Sequence, residues 1–212
     1  MTQDSGVQTL KPRKKPVQAR SNITVAAIFE ATIQVLGAVG LHKLNTARVA
    51  ARAGVSVGAL YQYYPNKHAL IAAVLERHLE QVADAVEQAC LQYRGQAPAP
   101  MGIALAAAFV DAKLARPDVS TALYAVAAEP DGAEVVGRSG ARMSAAVSAM
   151  LQTCQAGKIG EPDAAAFVLL GAMAGVTQGV LEQGAPAALG AAARIHLGQL
   201  CAAYLEQLAT VR

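Results

Sequence analysis

Tryptophan is absent from this 212-residue chain, and aromatic residues make up 4% of it. Scarce aromatic or β-branched runs argue against a sheet-built core, while the dominance of alanine favours an all-α protein. Cysteine is nearly as scarce. Cys90, Cys154 and Cys201 are odd in number and far apart, with no CxxC pair. That excludes a disulfide framework and a zinc knuckle, and it fits a reducing cytoplasm. The first ten residues carry no basic segment leading into an apolar run, so no secretory leader is expected. His42, His68, His78 and His196 show no metal-ligand spacing such as HExxH. GxSxG and glycine-rich phosphate loops are also missing, so no catalytic residue, metal or cofactor is assigned.

What charge there is lies unevenly. Residues 1–70 hold Lys11, Arg13, Lys14, Lys15, Arg20, Lys43, Arg48, Arg52 and Lys67 against only Asp4 and Glu30, whereas the remainder is net acidic. A basic head on an acidic body points to a polyanionic partner for the head. Residues 1–19 read as an extended basic arm broken by Pro12 and Pro16. A solubilising tail and an arm that enters a narrow minor groove are equally good readings of KPRKKP.

Residues 20–66 read as three helices. Ser21 or Asn22 caps the first, whose stripe Ile28, Ala31, Val35 and Val39 faces inward until Gly40 ends it. Asn45 or Thr46 caps a short second helix closed by Gly54, and Ser56 caps a third that stops at Pro65. Two short helices around a glycine corner form a helix-turn-helix pattern. Val49, Val55 and Leu60 lock it, and Tyr64 shares the buried face. Val57, Gly58, Tyr61 and Gln62 share the opposite face. Small residues at its start admit it to a major groove, Val57 suits a thymine methyl and Gln62 an adenine edge. Tyr61, Tyr63 and Tyr64 are half of the chain's six tyrosines. Packing accounts for Tyr64; DNA contact is the expectation for the other two.

The run VGLHKLNTARVAARAGVSVGALYQYYPNKHAL makes residues 20–70 resemble the DNA-binding domain of the tetracycline-repressor-like (TetR) family of bacterial regulators. The resemblance implies DNA contacts at Tyr61, Gln62 and Tyr63, a phosphate clamp at Lys67, and backbone-directed roles for Thr46, Arg48 and Ser56. The family often has a polar or basic residue at Val57 and a hydroxyl at Ala59. Here those positions offer methyl contacts only, so base discrimination is expected to lean on Tyr61, Gln62, methyl contacts and the arm.

Residues 67–212 read as an effector-binding and dimerisation domain. Asn66 caps a long fourth helix to about Arg94, followed by helical stretches near 101–115, 118–128, 132–156, 161–183 and 187–209. Residues 164–181 run without a charge and carry the ladder Gly171, Gly175, Gly179. Length alone would admit a membrane span. The flanking Asp163 and Glu182, together with Thr177 and Gln178, argue instead for a helix covered by a partner. Ile195, Gly198, Ala202, Leu205 and Leu208 form a similar stripe on the last helix, so a homodimer through a four-helix bundle is expected. An intrachain core is the alternative. Phe109, Tyr124, Met143, Met150 and Met173, with Asp111 or Gln178 as polar anchors, are the candidate lining of a hydrophobic effector pocket.

The resulting expectation is a cytoplasmic homodimeric repressor, released from double-stranded operator DNA by a small hydrophobic effector. An effector-independent DNA-binding protein, or a helical carrier or enzyme, are the competing classes.

Overall fold

The computed structural model describes residues 19–210, and its architecture is all-α. The described residues divide into two compact units, one of residues up to 77 with 122–135, the other of residues 78–121 with those from 136 onward. The division falls inside the fourth helix, between Arg77 and His78.

In the amino-terminal unit, α1 (Ala19–Lys43) buries Ile28, Ala31 and Val35. It is interrupted at Gly40, whose φ of 75° and ψ of 169° lie outside the helical region. The expected stop is therefore a kink, because the Leu44 amide still reaches the Gly40 carbonyl at 3.2 Å. Asn45 caps α2 (Thr46–Ala53), its side chain accepting from the Arg48 amide at 2.9 Å. Gly54 closes that helix at φ 69°, ψ 28°, a left-handed conformation that glycine adopts at no steric cost. Ser56 then caps α3 (Val57–Tyr63) by accepting from the Ala59 amide at 3.0 Å. The chain turns extended at Tyr64, before Pro65, and Asn66 accepts from Ala69 at 2.8 Å to start α4 (Lys67–Gln92).

The second unit takes in the rest of α4, α5 (Pro98–Leu114), parts of α6 (Pro117–Ala127) and α7 (Pro130–Leu151), α8 (Pro162–Glu182) and α9 (Ala187–Leu208). Proline opens each of α5 to α8, where its missing amide costs nothing and its fixed φ suits the first turn. Apart from α8, these helices begin one to three residues earlier than the spacing of apolar positions suggests. A two-residue antiparallel ladder, not anticipated from sequence, joins Lys158–Ile159 to Ala209–Thr210.

The core of this unit is aliphatic and methionine-rich, with Met101, Leu105, Phe109, Met150, Leu169, Met173 and Leu205 all buried. Its tightest point is Gly102 on α5. A Cβ there would lie 2.7 Å from both the Ala202 amide nitrogen and the Cys201 carbonyl carbon. Only a hydrogen atom lets the α5 and α9 backbones approach so closely. Cys90 and Cys201 fill core space, and burial pushes their thiols up to about 12 and about 11. Neither offers a thiolate at neutral pH. Among the described residues, two helices are long and apolar enough to cross a membrane, Ser21–Lys43 and Pro162–Glu182.

Candidate nucleic-acid interface

The two short helices leave one face bare. Val57, Gly58, Tyr61 and Gln62 are exposed on α3, with Ala59 half-buried at their edge. On the other side of the same helix Leu60 is fully buried, as is Val49 on α2. Amphipathic spacing alone sets this division, since a core residue at 60 and another at 64 leave positions 57, 58, 61 and 62 outside.

The three neighbouring tyrosines have three separate fates. Tyr61 is 41% exposed, and its hydroxyl sits 3.0 Å from that of Thr46, the first residue of α2. Tyr63 is half-buried, with its hydroxyl 3.0 Å from that of Ser21 in the first turn of α1. Tyr64 is only 7% exposed, and burial raises its phenol above the usual tyrosine value while Arg77 opposes the shift. A pair of hydroxyls needs one proton for its own bond, so the other proton stays free for an acceptor. At Thr46 and Tyr61 both oxygens are exposed, beside the start of α2, where an anion is favoured.

The cations around this face differ in freedom. Arg48 is exposed on α2. Arg52 is also exposed, but its Nε donates to Gln34 on α1 at 2.5 Å. Lys67 is half-buried, and its ammonium donates to the Leu41 carbonyl at 2.8 Å. One of its three donors is therefore used at home, a role that sequence spacing gives no hint of. The arm cations Lys11, Arg13, Lys14 and Lys15 lie outside the described residues.

Two family models together match most of the chain. The model for "Bacterial regulatory proteins, tetR family" matches residues 28–74, and that for "Tetracyclin repressor-like, C-terminal domain" matches 98–205. This chain belongs to the TetR family. The "HTH-type transcriptional regulator BetI" of Escherichia coli O139:H28 (strain E24377A / ETEC) is 32% identical over 71 residues. That alignment takes in 34% of this chain and 36% of the relative, so the chain spans about a third of the length of the curated relatives it matches. Among solved structures, a TetR-family transcriptional regulator from Mesorhizobium loti MAFF303099 covers 91% of this chain and all of its own, at TM-score 0.70 and 19% identity. The fatty acid degradation regulator FadR of Bacillus halodurans covers 84% of this chain and 97% of its own, at TM-score 0.66 and 15% identity. These structures share the fold. TetR-family regulators bind operator DNA and small-molecule effectors and are dimeric.

The residues expected to line an effector pocket do not form one cluster. Phe109, Met143, Met150 and Met173 are buried in the core of the second unit. Tyr124 falls in the other unit and is half-buried. Asp111 is exposed, holding Arg194 at 2.8 Å, and Gln178 is exposed and donates to Glu182. Neither polar side chain is turned into the core, because each finds a surface partner first. Met150 also lines a cleft of about 190 Å³ with Glu87, Cys90, Leu91, Arg94, Ala146 and Ala149. A separate polar cluster, missed from sequence, brings His78 Nε2 to 3.0 Å from the Ser120 hydroxyl, which donates to the Lys113 carbonyl. Burial, then Lys113 and Arg116, push His78 down to about 4. Among the described residues no group of three or more histidine, cysteine or acidic side chains could hold a metal.

The two stripes expected at a subunit interface also part company. On α8, a Cβ added at Gly171, Gly175 or Gly179 would meet nothing within 4 Å. Phe167, Val168 and Val176 are exposed alongside them, at 76%, 47% and 42%. On α9, Ile195 is exposed but Gly198, Ala202 and Leu205 are buried in their own chain. Gly198 faces Ile103 of α5, and Leu205 has no exposed surface. The i, i+3, i+4 stripe is real, but α5 occupies it. The exposed residues of α9 include Ile195, Gln199, Leu200 and Ala203.

Proposed function

We propose that this TetR-family chain is a homodimeric transcriptional repressor that presents α3 to the major groove of operator DNA. The observation that carries the reading is the exposed α3 face of Val57, Gly58, Tyr61 and Gln62, set at a capped helix-turn-helix corner. Gln62 pairs with a base edge, Val57 and Ala59 give methyl contacts, and Thr46, Arg48, Ser56, Tyr61 and Lys67 meet phosphates. Two copies join through the uncharged α8 face around Gly171, Gly175 and Gly179, with Ile195 and Leu200 of α9 beside it. An exposed apolar face in water is satisfied by covering it.

The effector is a small hydrophobic molecule, held among Phe109, Met143, Met150 and Met173, whose flexible side chains repack readily. It acts by binding better to a conformation in which α4, which runs through both units, no longer suits DNA. The protein acts on DNA in the cytoplasm, outside any membrane.

Selection from a pool of random duplexes tests the reading. The chain is expected to enrich a two-fold symmetric sequence with half-sites roughly 34–36 Å apart. Gln62→Ala should relax preference at one base pair per half-site, costing about 1–3 kcal/mol for the preferred sequence. No enrichment, or an enriched site without symmetry, sinks the proposal.

A further inference from the structure

One cleft lies wholly inside the amino-terminal unit, and of the DNA contacts proposed above only Lys67 lines it. It holds about 190 Å³, the liquid volume of about six water molecules. Ile71, Ala72 and Val126 line it with buried aliphatic surface. Lys67 and His68 reach it from the first turn of α4, and Glu129 and Asp131 from the junction of α6 and α7. A Cβ added at Gly132 would overlap the Val126 carbonyl oxygen. Backbone contact therefore seats this acidic wall on α6, in place before any ligand arrives.

Part of the charge is already engaged. His68 Nδ1 lies 3.3 Å from Asp131 Oδ2. Lys67 gives one donor to the Leu41 carbonyl at 2.8 Å, which leaves two. Glu129 has no side-chain partner among the described residues. What stays unspent is one ammonium and one carboxylate beside an apolar floor. A lone anion on Lys67 would face two carboxylates, and a lone cation on Glu129 would face Lys67. A molecule carrying both charges on a short aliphatic body suits all three features.

We infer that this cleft binds a small aliphatic amino acid as its zwitterion, with the carboxylate on Lys67 and the ammonium on Glu129, and that its occupancy weakens DNA binding. Donors of Lys67 turned to the ligand are withdrawn from phosphate. That coupling rests on the DNA-binding role proposed above; the binding site itself does not. The site is also separate from the methionine-rich core assigned to a hydrophobic effector, which belongs to the other unit.

Calorimetry of the full-length chain with L-valine and L-leucine tests the site. Isobutylamine and isovalerate serve as probes that carry one charge each. At least one amino acid should bind with a dissociation constant below about 1 mM, and each single-charge probe at least about tenfold more weakly. Glu129→Gln, at an exposed position, should weaken amino-acid binding at least about tenfold and leave DNA affinity in its absence unchanged. Lys67→Gln should weaken amino-acid binding as much; Glu129→Gln carries the test if that variant disturbs folding. For the duplex that the wild-type chain enriches, saturating amino acid should lower affinity about three- to tenfold, and the duplex should weaken amino-acid binding by the same factor. No binding of either amino acid, equal binding of a single-charge probe, or wild-type binding by Glu129→Gln overturns the site. Binding that leaves DNA affinity untouched overturns the coupling. A chain that enriches no duplex sinks the proposed function, while calorimetry still decides the site by itself.

Discussion

Asn45, Ser56 and Asn66 each turn a side-chain oxygen onto a backbone amide at the start of α2, α3 and α4. In the second unit α5, α8 and α9 start with no side-chain cap bond. There the tight feature is a contact between backbones, Gly102 of α5 against Cys201 and Ala202 of α9. The contrast teaches where each unit keeps its specificity. Capping is local chemistry, written in residues three apart, and it sets where α2, α3 and α4 begin. Close backbone approach is tertiary, and it fixes how a nearly featureless alanine-rich bundle packs.

The largest effect should come from filling that approach. Glycine to alanine inside a helix ordinarily gains up to about 1 kcal/mol. At Gly102 the added methyl would meet backbone atoms that cannot rotate away, so Gly102→Ala is expected to cost about 3 kcal/mol in denaturant unfolding. A neutral or stabilising result would break the contrast between the units.

Next in size is a pH effect confined to the second unit. His78 titrates near 4 in the folded chain, against 6.5 for the free side chain. Below pH 6.5 the unfolded chain takes up a proton that the folded one refuses, so stability falls as pH falls. The contribution is complete above pH 6.5 and is progressively lost down to about pH 4. Between pH 7 and pH 5 the loss should be about 2 kcal/mol. Unfolding curves at both values, compared with His78→Gln, isolate it, since the variant lacks that slope. Lys113, Arg116 and Asp118 face the ring in both measurements, so equal slopes in the two proteins would clear His78.

The smallest expected change separates a free glycine from a buried one. A methyl at Gly171 or Gly175 meets nothing in its own chain, so alanine there should stabilise the isolated subunit by at most about 1 kcal/mol. The same substitution should weaken subunit association, read by sedimentation velocity across protein concentration. Association at wild-type strength would remove this face of α8 from the interface.

Much of the helix-turn-helix corner was legible in the sequence. Leu60 and Tyr64 lie four apart and fall inside; Val57 and Tyr61 lie four apart and fall outside. The expected starts near 101, 118 and 132 fall late, because Pro98, Pro117 and Pro130 themselves open the helices. The stripe Gly198, Ala202 and Leu205 was visible, but its neighbour was not. Periodicity reveals that a face is covered and is silent about whether another helix or another subunit covers it. Hydroxyl pairings such as Thr46 with Tyr61 left no trace either, since they link residues whose separation obeys no helical period.

The linear order of residues was enough to set the all-α class, the capped corner and the exposed face of α3, because each depends on neighbours within four positions. Folding in three dimensions decided what α9 packs against, where Lys67 spends a donor, and which tyrosine is tied to Ser21. Those outcomes depend on which distant atoms come within 3–4 Å, and no local propensity specifies that.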